Sequence, residues 1–250
     1  MWLILSTPDD VSAQWAYRGL RARGLSPLEW VTHDQLAYAP CWEHRLDEHG
    51  VQVAIELADG RFLHSQAIKG VLNRLLTVPT EQFVLAGPDE RHYAAQEMTA
   101  FYASWLYALP GPVLNPPTPA GLSGRWRHIS EWIWLAAQAG LPTPHYRQAS
   151  NQPRNQMHMQ GRLTAPGTPT QTVIVVGSHV IGESITSTLK QSCRQLAVLA
   201  QTPLLGIDFV KDQQGHWLFA GATPLPDLVQ GGEATLDALA VALQSGQEVT

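Results

Sequence analysis

Few residues in this chain have side chains suited to chemistry, and their spacing decides what they can do. Asp208 interrupts the apolar run Leu205-Gly-Ile-Asp208-Phe-Val, Asp212 lies in the following turn Lys211-Asp-Gln-Gln-Gly215, and Asp227 stands a little further on. Carboxylates are the oxygen ligands a hard divalent cation takes, and a buried aspartate serves as readily to cap a loop or meet an arginine. For Asp212 the plainer role is turn chemistry, because a short acidic side chain accepts bonds from nearby backbone N–H groups. Met157-His158-Met159 offers the soft ligands that Cu(I) favours, but one triplet in a polar loop makes a poor site, and no metal centre is expected there. Ser178-His179 lacks the Gly-x-Ser-x-Gly elbow of an acyl-transfer nucleophile. Cys41 and Cys193 are too few and too far apart to announce a disulfide framework or a zinc site, and read as reduced thiols. Arg74 and Glu97 are expected to form an ion pair joining a central strand to a long helix, in preference to a substrate site.

A chain of 250 residues, 44% hydrophobic and 15% charged, is long enough to bury a substantial core as one large domain or two small ones. The net charge of −5, with no basic run, gives no electrostatic footprint for nucleic acid. No apolar stretch approaches the ~18 residues of a membrane span. The start Met1-Trp-Leu-Ile-Leu-Ser has no basic region and runs into Pro8-Asp9-Asp10, which argues against a signal peptide, so a cytoplasmic protein is expected. Of the 16 basic residues only Lys69, Lys190 and Lys211 are lysines.

The elements that must position these residues follow from periodicity. Residues 2 to 6 read as a buried strand, Val11 to Arg23 as a helix closed by Gly24, and Leu28 to Val31 as a second strand, which is a βαβ opening. Val51 to Leu57 alternates, turns at Asp59-Gly60 and returns through Arg61 to His64, a hairpin. Ile68 to Leu72 is a short strand leading to Asn73-Arg74, and Glu90 to Leu109 is a long helix with Tyr93, Met98, Phe101, Trp105 and Leu106 on its apolar face. Prolines from 110 to 119 break regular structure. Beyond them come a helix over Ser130 to Ala139, a polar loop over 148–171, a strand at Val173 to Val176, a helix over Thr186 to Ala200, a hairpin over 204–210 and 216–222, and a last helix over Ala234 to Gln244. Trp126, Trp132 and Trp134 are expected to pack a domain junction, whereas a tryptophan left exposed there would mark a partner surface.

Several of these stretches, in order, resemble ATP-grasp proteins of the RimK-like, peptide-modifying type, which pair a small α/β pre-domain with a ligase domain. The opening strand with Pro-Asp-Asp and the helix ending at Arg23-Gly24, then Val71-Leu-Asn-Arg74, Glu97, and Val113-Leu-Asn115-Pro resemble the pre-domain. Leu135-Ala-Ala-Gln-Ala-Gly-Leu-Pro-Thr-Pro144 and Val-Val-Gly-Ser-His-Val-Ile-Gly182 resemble the entry and first strand pair of the ligase domain. The hairpin from Leu205 to Pro224 resembles its metal-binding strands, where an Asp on one strand and a Glu-x-Asn-Pro on the other hold magnesium on the nucleotide phosphates. On that alignment Asp208 is the residual metal position, while Gly221 and Thr223 stand where Glu and Asn are vacated. The interval that carries a nucleotide lid and its lysine is the polar loop, which has no lysine, and Arg127, His128 and Ile129 stand where a lysine usually opens the ligase helix. Between Gly182 and Thr186 too few residues remain for the usual substrate-binding excursion.

The resemblance implies an α/β protein with a pre-ATP-grasp-like domain over residues 1–120 and a reduced ATP-grasp-like α+β domain over 121–250, the loop 148–171 replacing the lid. A glycine supplies no side-chain oxygen and a threonine hydroxyl is a neutral ligand, so the charge neutralisation that phosphoryl transfer needs is largely lost. A pseudoenzyme without cofactor is therefore expected, acting as an accessory or binding subunit for a biosynthetic or peptide-modifying enzyme, with a protein partner and a peptide or small carboxylate as ligand. The alternative is an active ATP- and Mg²⁺-dependent carboxylate–amine ligase, in which Asp212, Asp227, Arg147, Arg154 or Arg162 compensate for the missing groups. A third reading is a homo-oligomer joined through the tryptophan-rich surface.

Overall fold

A computed structural model of the chain describes residues 1–48, 50–146, 170–183, 185–212 and 214–245. Arg147, Arg154, Arg162, the Met157 to Met159 triplet and nearly all of the expected polar loop lie outside the described residues. The chain divides into two compact units, Met1–Arg125 together with the end of the chain from Leu239, and Trp126–Ala238. The division falls after Arg125, and the last helix contributes to both units.

The first unit is built on a parallel sheet of order β2-β1-β6-β7, from β1 (Trp2–Ser6), β2 (Leu28–Thr32), β6 (Gly70–Asn73) and β7 (Val113–Leu114). Every residue of β1 is buried, which fits a central parallel strand covered on both faces and explains its unbroken apolar sequence. Helix α1 (Val11–Ala22) connects β1 to β2, and Asp10 caps it by accepting a hydrogen bond from the Ala13 N–H at 2.9 Å. The expected Arg74–Glu97 pair does not form. The Arg74 N–H donates to the Leu5 carbonyl at 2.8 Å, continuing the β1–β6 ladder beside the β1–α1 turn. Its guanidinium therefore meets Asp10, with Nε at 2.7 Å from Oδ2 and Nη2 at 3.3 Å from Oδ1, while Glu97 is exposed.

Following β2, the short helix α2 (His33–Ala37) carries a Thr32/Gln35 capping box. An antiparallel meander then runs through β3 (Cys41–Asp47), β4 (Gly50–Glu56) and β5 (Phe62–His64). The inner face of this meander packs against the long helix α3 (Pro88–Tyr107): the Trp42 ring lies 5.0 Å from those of Phe101 and Tyr102 and 5.4 Å from that of Trp105.

The second unit holds an antiparallel sheet of order β11-β10-β8-β9, from β8 (Thr170–Val176), β9 (His179–Ile181), β10 (Leu204–Lys211) and β11 (Trp217–Thr223). Helices α4 (Ile129–Gln138) and α5 (Ser187–Leu199) share a core with one face of this sheet, through Trp132, Leu135, Cys193 and Leu196 against Val173, Val175, Leu205, Ile207, Phe209 and Phe219. Helix α6 (Gly232–Gln244) closes the described chain. Among the described residues no helix is long and apolar enough to cross a membrane.

Candidate functional site

Strand alternation decides where Asp208 goes. Ile207 and Phe209 point into the core with α4 and α5, so Asp208 and Gly206 face the opposite side of the sheet. Asp208 is directly opposite Thr172 on β8 and Gly221 on β11, and a bulge follows at once, with Phe209 paired to Phe219. The Thr172 hydroxyl donates to Asp208 Oδ1 at 2.7 Å, and the aspartate is only 8% exposed. On its other side Gly221 presents no side chain at all.

Thr223 lies opposite Gly206, and its hydroxyl accepts a hydrogen bond from the Leu225 N–H at 3.2 Å, closing a local turn. That turn brings Pro226 over the strand: a Cβ on Gly206 would meet the Pro226 Cβ at 2.8 Å and the Thr223 methyl at 3.2 Å. Thr223 is thus occupied in folding the chain back over β10.

The other two carboxylates are engaged locally. Asp212 accepts from the backbone N–H groups of Gln214 and His216, both at 2.8 Å, and the His216 N–H in particular holds its carboxyl below the usual range. Asp227 accepts from the Val229 N–H at 3.2 Å and from the Gln230 side chain at 3.2 Å, capping a short 3-10 turn. No group of three or more His, Cys, Asp or Glu side chains able to hold a metal ion occurs among the described residues. Tested against a magnesium–nucleotide centre, the described donors do not fit. One buried carboxylate already accepts a hydrogen bond from a threonine hydroxyl, its neighbour on β11 is glycine, and the remaining hydroxyl and carboxylates serve turns.

A cleft of about 740 Å³ adjoins this position, lined in part by Thr172, Ile174, Ile181, Glu183, Lys211 and Trp217. Gly231 closes over it: a Cβ there would approach Ile174 at 3.1 Å and Ile181 at 3.3 Å. Lys211 Nζ sits 4.9 Å from the centre of the Trp217 ring. Trp132 is buried, whereas Trp126 and Trp134 are 71% and 60% exposed. Sequence reasoning named Asp208 but missed Thr172. Only the β8–β10 register brings the two together, and a threonine at the polar start of a strand carries no signal of it.

No family model matches the sequence, and no curated protein does. Solved structures do match in fold. The macrocyclase MdnC of Microcystis aeruginosa MRC, bound with precursor peptide MdnA, has a TM-score of 0.72 at 13% identity, covering 98% of this chain and 100% of that one. The ATP-grasp ligase PsnB complexed with minimal precursor gives 0.66 at 16% identity, with 98% of each chain covered. A RiPP-associated ATP-grasp ligase of Chryseobacterium gregarium, in complex with ADP and a leader and core peptide, gives 0.67 at 8% identity over 98% of this chain and 96% of that one. The protein therefore has the α/β fold of ATP-grasp ligases, and the likeness runs nearly end to end.

Proposed function

We propose that the protein is a non-catalytic member of this fold that works in the cytoplasm as an accessory or binding subunit for a peptide-modifying enzyme. The observation that carries this reading is the pairing of Asp208 with Thr172 on one side and Gly221 on the other. A carboxylate in that setting is a sheet residue with a satisfied hydrogen bond. At the two aligned positions Gly221 and Thr223 supply neither a second carboxylate nor an amide oxygen to share a cation with it. The precursor peptides in the solved complexes of similar fold support a peptide as ligand. Since function resides in the site rather than the fold, the depleted donor set weighs more than the likeness to ligases.

The test is incubation of the purified full-length chain with MgATP, with and without a candidate precursor peptide. We expect no ADP or AMP above the blank and no thermal shift. Occupancy at a hundredfold excess over Kd would stabilise the fold by about 2.7 kcal/mol. Nucleotide release abolished by Asp208→Ala would overturn the proposal. It would favour a second reading, an ATP-dependent ligase with an atypical nucleotide site, for which the cleft beside Thr172, with Lys211 in its wall, is the supporting observation.

A further inference from the structure

The first unit carries an open sheet edge whose residue pattern matches itself. β3 is a seven-residue strand at the end of the β3-β4-β5 meander, and its register with β4 runs without a bulge from Cys41↔Glu56 to Asp47↔Gly50. The other edges offer less. β7 has two residues, and β5 and β9 have three. The Phe219 N–H of β11 is taken by the Pro142 carbonyl at 2.7 Å, and Trp30 of β2 accepts from Arg61 at 3.3 Å.

The hydrogen-bonding phase of β3 follows from its neighbour. The Val53 N–H donates to Ser65 Oγ at 3.0 Å, toward β5, so Val53 and the residue opposite it, His44, direct their backbone groups away from each other. Trp42, His44 and Leu46 therefore present N–H and C=O groups to the open edge. Among the described residues no backbone group from outside the strand answers them.

Proteins usually protect such an edge with proline, a bulge or charged side chains, lysine above all. β3 has no proline, lysine or bulge, and its charges alternate in sign. Its outward charges are Glu43, Arg45 and Asp47; Glu43 and Arg45, which pair with each other along the strand at 2.7 Å, are of opposite sign and placed symmetrically about His44, with side chains 48% and 67% exposed. On the other face stand Trp42 and Leu46, also symmetric about His44, and Leu46 is 72% exposed.

We infer that this edge is a homodimer interface, in which two copies of β3 pair antiparallel about His44. Glu43 of each chain then lies across from the partner's Arg45, and Trp42 across from the partner's Leu46. Both cross-strand pairs are favourable, and the two meanders become one continuous six-stranded sheet. A shift of the strands by two residues loses both Glu43–Arg45 pairs and sets like charges across from each other, Glu43 against Glu43 one way and Arg45 against Arg45 the other, so the charge pattern selects the symmetric register. The inference concerns the first unit and is independent of the reading of Asp208.

The test uses the full-length chain in light scattering and sedimentation. The wild type should sediment as a dimer. Glu43→Arg and Arg45→Glu each turn two attractive cross-strand pairs into repulsive ones, and should weaken the dimer roughly ten- to hundredfold. Both substitutions are on exposed positions of the outer face and leave the core intact, which circular dichroism will confirm. An equimolar mixture of the two variants restores every opposite-charge pair and should give a heterodimer, and the double exchange E43R/R45E should restore the homodimer. A monomeric wild type, a dimer indifferent to the single reversals, or a mixture that stays monomeric would each overturn the inference.

Discussion

Asn73 shows how much one buried amide can organise. It ends β6 with no exposed surface, donates from Nδ2 to the carbonyls of Asn115 at 2.9 Å and Leu122 at 2.7 Å, and accepts from the Leu75 N–H at 3.2 Å. The proline-rich stretch after β7, which has no regular structure of its own, is thereby tied to the central sheet. Asn73→Leu, of similar volume, leaves two carbonyls and one N–H buried without partners at roughly 1–3 kcal/mol each, so equilibrium denaturation should show a loss of about 3–5 kcal/mol. A loss below about 1 kcal/mol would mean that the segment holds its place without the amide. The two thiols give a second measurement at this scale. Burial pushes the Cys193 thiol up to about 12, while Cys41 is exposed on β3. A thiol reagent at about pH 8 should therefore titrate one group in the native chain and two after unfolding. Two reactive thiols in the native state would show that the α5 core opens readily.

At the level of elements, the β10–β11 hairpin joins sequence legibility to function. Its strands and turn were readable because alternating apolar residues flank a Gly- and Asp-bearing turn. That Gly221 offers no donor beside Asp208 was readable too, since a glycine has no side chain whatever the fold. The Thr172 contact was not, because strand register is fixed by pairing partners far away in sequence. The turn makes its own prediction. Backbone N–H groups, that of His216 first, stabilise the ionised Asp212, so its folded pKa lies below the ordinary value of 3.8. The sign follows: this contribution is fully present above 3.8 and fades as pH falls through the lower, folded value. A carbon-detected carboxyl titration should place the Asp212 midpoint below 3.8, and a midpoint at or above it would remove the turn as a source of stability. Helix α3 marks the limit of periodicity in the other direction. The helix buries Tyr102, Trp105 and Leu106 near its C-terminal end but leaves Tyr93 64% exposed, because the meander covers only part of its length and spacing alone does not say which part. β3 escaped detection for a related reason: its alternation sets His44 among the inward residues and charges on the outer face, so the apolar signal of a strand is diluted.

For the whole molecule, the return of the chain to its first unit matters more than the boundary in the middle. From Leu239 onward α6 belongs to the unit that begins with β1, and both Leu239 and Leu243 are fully buried. The Trp2 indole N–H donates to the Leu243 carbonyl at 3.3 Å. A Cβ on Gly70, at the start of β6, would lie 2.7 Å from that same carbonyl, so only glycine allows the helix to approach this closely. The sheet of the first unit is therefore completed by the last helix, a long-range closure with no counterpart in local sequence pattern. Leu243→Ala removes a buried side chain from this closure and should cost about 2–4 kcal/mol. The change should also be local: the core of the second unit, which β8 and β10 build with α4 and α5, does not contain Leu243. Hydrogen exchange read by mass spectrometry should consequently show faster exchange in the peptides of β1 and β6, with β8 and β10 keeping their protection. Gly70→Ala should reproduce the pattern from the opposite side of the contact. Uniform loss of protection in both units would show that they unfold as one, and unchanged exchange in β1 would show that the sheet holds without its closing helix.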